Sequence, residues 1–76
     1  MIKENLSEVF AKNFRILLAE SKTSKTFISD KTGISRTTLT NISSGNSKMI
    51  QFESIEKIAE ALNIEPYELF KTKKSS

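Results

Sequence analysis

The chain has 76 residues, 37% of them hydrophobic, and a formal net charge of +3. It can therefore form one small domain around one core. Because so small a core stabilises a fold only weakly, we expect a partner subunit to add to the stability. Cysteine and histidine are absent, which excludes thiol catalysis, disulfide bonds, Cys/His zinc sites and an imidazole base. No apolar run approaches the ~20 residues of a membrane span and the N-terminus lacks a signal-peptide pattern, so we expect a soluble, cytoplasmic protein without cofactor, metal or small-molecule ligand.

The first predicted helix begins after Asn5, a favourable N-cap, and ends at about Ser21. Glu8 stands three residues after Asn5, which is the spacing of a capping box. Apolar residues then recur at helical spacing: Leu6, Val9, Phe10, Phe14, Leu17 and Leu18. We expect this stripe to face the core.

Two short helices are predicted next. Ser24 is a candidate N-cap for a helix over Lys25 to Thr32, and Gly33 stands where a left-handed residue ends a helix. Ser35 is the candidate N-cap of the third helix. The short segment around Gly33 therefore predicts a turn between two helices.

The third predicted helix, Arg36 to Ser43 followed by Gly45, is rich in β-branched residues that favour a strand. A strand would place polar residues on both of its faces, whereas a helix places Leu39 and Ile42 together on one inner face. The helix is therefore the better interpretation. Its outward residues are Arg36, Thr37, Thr40 and Asn41.

A fourth helix is predicted from Phe52 to Leu62, and Asn63 can form its C-terminal turn. Its acidic residues lie opposite an apolar stripe that consists of Phe52, Ile55, Ile58, Ala59 and Leu62. Pro66 suits the first position of a short last helix. Residues 71–76 form a polar tail.

Charge is unevenly distributed along the chain. Residues 21–50 contain five basic residues and one acidic residue, whereas residues 51–70 contain one basic and five acidic residues. The basic segment is also rich in Ser, Thr and Asn, whose side chains bond to phosphates and base edges. This pattern favours an anionic partner; the alternative is a basic face that is merely solvated.

The segment KTFISDKTGISRTTLTNISSG resembles the helix-turn-helix of the phage repressor and Cro family, also called the xenobiotic-response-element type. The residues that carry the resemblance are Ile28, Ser29, Gly33, Ile34, Leu39 and Ile42. The continuation FESIEKIAEALNIEPYELF resembles the fourth and fifth helices of the family. The resemblance implies an all-α, five-helix, lambda-repressor-like domain spanning residues 1–76, with its core in residues 5–70. The chain departs from the family pattern at some positions: Phe27 stands where a polar residue is usual, and Ser43 stands where Glu is usual. These departures affect local packing and not the expected fold.

By this resemblance, helix 3 enters the major groove of DNA and contacts base edges through Arg36, Thr37, Thr40 and Asn41. Arg36 can bond to guanine O6 and N7, and Asn41 to adenine N6 and N7; the alternatives are that Arg36 contacts only phosphate and that Asn41 is simply an exposed polar residue. The candidate phosphate contacts are Ser24, Lys25, Ser44, Asn46 and Lys48. The alternative for Lys48 is a solvated lysine. Phe10, Phe14 and Phe52 are interpreted as core residues.

The predicted function is sequence-specific DNA-binding regulation, as a homodimer on a palindromic operator and more as a repressor than an activator. Leu69 is expected to close the core beneath helix 4, and Tyr67 and Phe70 are expected at the dimer interface; alternatively, Phe70 folds back onto its own core. The alternative function is a protein-binding module or antitoxin-like adaptor with little sequence-specific DNA binding. An enzyme is disfavoured. The family is consistent with a phage or mobile-element regulator, a restriction–modification controller or an antitoxin.

Overall fold

The computed structural model describes residues 5–72, and within them it contains four α-helices and no strand. The helices are α1 (Leu6–Glu20), α2 (Lys25–Thr32), α3 (Arg36–Ser44) and α4 (Phe52–Leu62), followed by a 3-10 helix, Pro66–Leu69. The all-α class is confirmed, and the short fifth helix expected at Pro66 is present as a 3-10 helix and not as an α-helix. The segment that begins at Pro66 is only four residues long, which is the length typical of a 3-10 helix. Of the predicted tail, residues 73–76 lie outside the described residues.

The ends of the helices follow the predicted capping residues. Three N-cap side chains each accept a hydrogen bond from the backbone N–H three residues later: Asn5 from Glu8 (3.0 Å), Ser24 from Phe27 (3.1 Å) and Ser35 from Thr38 (3.1 Å). Left-handed residues end three helices: Gly33 (φ 81°), Gly45 (φ 82°) and Asn63 (φ 59°). Local chemistry therefore determines the limits of α2 and α3.

One core joins all the elements. Its buried members are Phe10, Phe14, Ile28, Leu39, Ile42, Ile55, Ile58, Ala59, Leu62 and Leu69. Leu39 and Ile28 are completely inaccessible to solvent, so the inner face of α3 is fixed against α2. Because the core holds α3 by this one face, its opposite face is left to solvent.

Two predicted core residues lie at the surface. Leu6 is 65% exposed and Phe52 is 83% exposed, so their assignment to the apolar core is wrong, although Phe10 and Phe14 are buried as predicted. Leu6 and Phe52 are the first residues of α1 and α4. Both line an open groove beside the first turns of their helices. The helical period places them on the inner face, but no other element between residues 5 and 72 covers them.

The last part of the described chain is anchored to α1. The 3-10 helix packs against α1 and α4, and Leu69 is fully buried, as expected. The Asn13 side-chain amide donates to the carbonyls of Leu69 (3.0 Å) and Lys71 (2.7 Å). Phe70 is partly buried and packs edge-on against Phe10, with ring centroids 5.3 Å apart, whereas Tyr67 is 62% exposed.

Candidate nucleic-acid interface

The outer face of α3 carries the residues predicted to read DNA bases. Arg36, Thr37, Thr40 and Asn41 are all exposed, whereas Leu39, Ile42 and Ser43 on the same helix are buried. Positions 36 and 40, and likewise 37 and 41, are four residues apart, so the four side chains form one continuous surface. This surface offers a guanidinium, an amide and two hydroxyl groups, and α3 contains no acidic residue. Such a helix fits the major groove in size and in hydrogen-bonding groups.

Thr38 is exposed, but it forms hydrogen bonds with the N-cap residue Ser35. Its backbone N–H donates to Ser35 Oγ (3.1 Å), and the Ser35 hydroxyl donates to Thr38 Oγ1 (2.9 Å). These two bonds stabilise the first turn of α3, which carries Arg36. The turn that would enter the groove first is thereby held in a helical conformation before any ligand binds.

Two of the candidate phosphate contacts lie at the start of α2. Ser24 Oγ accepts the Phe27 N–H (3.1 Å) as the N-cap, which leaves the hydroxyl hydrogen of Ser24 available to donate. Lys25, the first residue of α2, is half-buried. A cavity of about 330 Å³ opens beside them, lined by Lys22, Thr23, Ser24 and Phe27. Backbone N–H groups and the helix dipole make this end of α2 favourable for a phosphate.

The other three candidates lie at the end of α3 and in the loop that follows it. Ser44, Asn46 and Lys48 are exposed. The Ser44 hydroxyl donates to the Asn41 carbonyl (3.1 Å), so it would have to rotate in order to donate to a phosphate. The Asn46 backbone N–H also donates to the Asn41 carbonyl (3.0 Å), which leaves the Asn46 side chain free to turn outward. Lys48 offers a positive charge without any such restriction from a backbone bond.

Arg15 contributes to this surface in a way that the sequence analysis missed. Its Nη1 donates to the Ser43 carbonyl across 2.6 Å, a bond between α1 and the last turn of α3. A guanidinium at this position satisfies a terminal carbonyl and opposes the negative end of the helix dipole. The two residues are 28 positions apart in sequence, so no local pattern indicates the contact. Arg15 on α1 therefore helps to hold the last turn of α3 in position.

Arg15→Ala is expected to destabilise the domain by about 1–2 kcal/mol, because a hydrogen bond from a charged group is lost at a site where the guanidinium remains largely exposed. Urea unfolding followed by circular dichroism measures this change. Lys48→Ala, at an exposed cation of the loop after α3, is the control for general loss of charge. An equal effect of the two substitutions would show that the Ser43 carbonyl bond contributes nothing specific.

None of the helices between residues 5 and 72 combines the length and the apolar character that a membrane crossing requires.

The chain is similar to known DNA-binding proteins of the helix-turn-helix type. A family model described as the Cro/C1-type HTH DNA-binding domain, where HTH stands for helix-turn-helix, matches residues 13–75. The fold is similar to the crystal structure of the restriction-modification controller protein C.AhdI from Aeromonas hydrophila, with a TM-score of 0.78 and 28% sequence identity. The match covers 84% of this chain and 96% of that chain. Among curated proteins, none matches the chain.

Proposed function

Because the chain belongs to the Cro/C1-type HTH DNA-binding family, we propose that this DNA-binding regulator recognises a specific operator through α3 and represses transcription as a homodimer. The observation that carries the proposal is the outer face of α3, where Arg36, Thr37, Thr40 and Asn41 are exposed together. These residue types bond to base edges in the major groove. Ser24, Lys25, Ser44, Asn46 and Lys48 supply phosphate contacts that fix the position of the domain on the duplex.

Selection of bound fragments from a random pool of double-stranded DNA tests the proposal. We expect a palindromic site with two half-sites about 34 Å apart, one helical turn, because a two-fold dimer presents two copies of α3. Failure to enrich any sequence would contradict the proposed recognition. It would favour the alternative, a protein-binding module that keeps this fold with little sequence-specific DNA binding.

Repression is proposed because a bound domain can block a promoter by occupancy alone, without a surface that recruits RNA polymerase. Transcription in vitro from a promoter that overlaps the selected site should fall as the protein is added. The similarity to C.AhdI, a restriction-modification controller protein, supports a second candidate, control of a restriction–modification system. A rise in transcription when the site lies upstream of the promoter would favour an activating controller instead.

The homodimer is proposed to include Tyr67 and Phe70 in its interface. What supports this proposal is the small size of the core, together with the 62% exposure of Tyr67 beside a partly buried Phe70. Tyrosine is enriched at interfaces because its ring is apolar and its hydroxyl group is polar. Tyr67 lies 6.0 Å from Lys71 Nζ, so a cation also covers one side of this ring.

Lys48→Ala is expected to weaken binding to all DNA sequences about equally and to lower the slope of log K against log salt by about 0.9, because one phosphate contact is lost. Fluorescence anisotropy titrations at several salt concentrations measure the slope. The matched control is Lys57→Ala, since Lys57 is a half-exposed lysine paired with Glu53 on α4 (3.5 Å), away from α3. If the two variants gave the same slope as the unaltered protein, Lys48 would be a solvated lysine.

A further inference from the structure

Phe27 is an exposed aromatic residue beside one of the candidate phosphate contacts. Its side chain is 44% exposed in the first turn of α2, and its backbone N–H donates to Ser24 Oγ (3.1 Å). Both residues line the cavity of about 330 Å³, which we call the Phe27 cleft and define by Lys22, Thr23, Ser24 and Phe27. A group that accepts a hydrogen bond from the Ser24 hydroxyl in this cleft would lie within reach of the phenyl ring.

The surroundings of the Phe27 ring leave its cleft side open. Lys31 Nζ lies 5.7 Å from the ring centroid, but Lys31 does not line the cleft. The cation therefore covers part of the ring away from the cleft. Because a phenyl ring has no hydrogen-bonding group, the partner that suits its open side is apolar.

Lys22 brings a positive charge to the same cleft. It is exposed and has a left-handed backbone conformation (φ 55°), which costs free energy in a residue other than glycine. Residues held in this way occur mainly where a site uses them. Within residues 5–72, no carboxylate forms an ion pair with Lys22, so its charge is available to an anion.

We propose that the Phe27 cleft binds one sugar–phosphate unit of the DNA backbone. The deoxyribose packs on the Phe27 ring, and the phosphate lies between the ammonium group of Lys22 and the hydroxyl group of Ser24. This inference rests on the proposed function and adds two contacts, Phe27 and Lys22, to its DNA interface. It also gives the Phe27 ring a part in the choice of DNA over RNA.

A sugar–phosphate unit of DNA matches the chemistry of the cleft. The phosphate is anionic, and residues 21–34 contain three lysines and one acidic residue. The deoxyribose presents an apolar C2′ methylene, where the ribose of RNA carries a hydroxyl group. Packing of Phe27 against C2′ would therefore favour DNA, since a 2′-hydroxyl would lose its contact with water against the ring.

An acidic peptide is the other ligand that combines negative charge with apolar surface. The DNA backbone is the better occupant because the cleft includes Ser24, which is already proposed to bind a phosphate, and adjoins Lys25. The cleft is thus continuous with the proposed DNA interface. A peptide ligand would make no such use of Ser24, and substitutions in the cleft would then leave DNA binding unchanged.

Fluorescence anisotropy titrations with the selected DNA site compare the unaltered chain with Phe27→Ala and Lys22→Gly. We expect Phe27→Ala to weaken binding roughly 3- to 10-fold, the effect of returning part of one phenyl ring to water. The slope of log K against log salt should stay unchanged in this variant, because no charge is lost. Lys22→Gly should lower that slope by about 0.9. Glycine adopts the left-handed conformation without strain, so Lys22→Gly should fold, and circular dichroism checks both variants.

Single ribonucleotides placed in turn along the DNA site test the sugar contact. At the position that lies against Phe27, a 2′-hydroxyl should weaken binding of the unaltered chain. It should not weaken binding of Phe27→Ala further, because the ring that it would meet is absent. Additive effects of the ribonucleotide and of Phe27→Ala at every position would exclude a contact between the ring and a deoxyribose.

Ile16→Ala is the matched control, since Ile16 is an apolar residue of α1 with a similar exposure (46%) and does not line the cleft; its DNA affinity should not change. Unchanged affinity of Phe27→Ala, while Arg36→Ala weakens binding, would overturn the inference and favour an acidic peptide as the ligand. Because a backbone contact does not depend on sequence, the titrations are repeated with a duplex of arbitrary sequence. Effects of Phe27→Ala and Lys22→Gly on that duplex, without any enriched sequence, would reject the proposed operator recognition and support the Phe27 cleft.

Discussion

Arg36→Ala and Asn41→Ala are each expected to weaken binding to the preferred DNA site by about 1–3 kcal/mol, a factor of roughly 5–150, and to relax the choice of base at one position. Both side chains are exposed on the outer face of α3, and each can form a bidentate pair with one base edge. Repeating the selection from a random DNA pool with each variant measures the change in base preference, and anisotropy titrations measure the affinity.

Arg36→Lys separates base recognition from phosphate binding. Lysine keeps the positive charge but lacks the planar fork of the guanidinium. If Arg36 reads guanine, the lysine variant should lose selectivity at that base position; if Arg36 contacts only phosphate, it should retain both selectivity and most of the affinity. A selection profile unchanged by both Arg36→Ala and Asn41→Ala would show that the sequence is read elsewhere.

Leu39→Ala is expected to lower the free energy of unfolding by about 2–5 kcal/mol, because the substitution leaves a cavity in the core. Leu39 is completely buried and packs in the single core that joins all the helices. A single hydrophobic core in a chain of this size rarely supplies more than about 3–5 kcal/mol of stability, so this variant should be close to unfolded at 37 °C. Urea unfolding at low temperature, followed by circular dichroism, measures the loss.

Thr40→Ala, one residue along α3, is the control for Leu39→Ala. Thr40 is exposed, and alanine favours a helix more than threonine does, so its unfolding free energy should change by less than about 0.5 kcal/mol. Comparable losses from the two substitutions would mean that α3 is not held by its inner face. A stable Thr40→Ala variant with weaker DNA binding would instead agree with the proposed role of the outer face.

The sequence alone determined where α1, α2 and α3 begin and where α2 and α3 end, because those limits depend on neighbouring residues. Ser24 and Ser35 cap the helices that follow them, and Gly33 takes the left-handed conformation that ends α2. The inner and outer faces of α3 could also be predicted, since a helical period fixes which residues share a face. The candidate DNA-reading surface was therefore available from the sequence, together with its family resemblance.

Tertiary structure alone decided which apolar residues are covered. Periodicity placed Leu6 and Phe52 on inner faces, but whether a first turn is buried depends on the elements that pack beyond it, and here both remain exposed. The bond from Arg15 to the Ser43 carbonyl likewise joins residues that are far apart in sequence. Local patterns encode the conformation of a segment, whereas the open groove beside Leu6 and Phe52 and the support of α3 by Arg15 arise only when distant segments are brought together by one core.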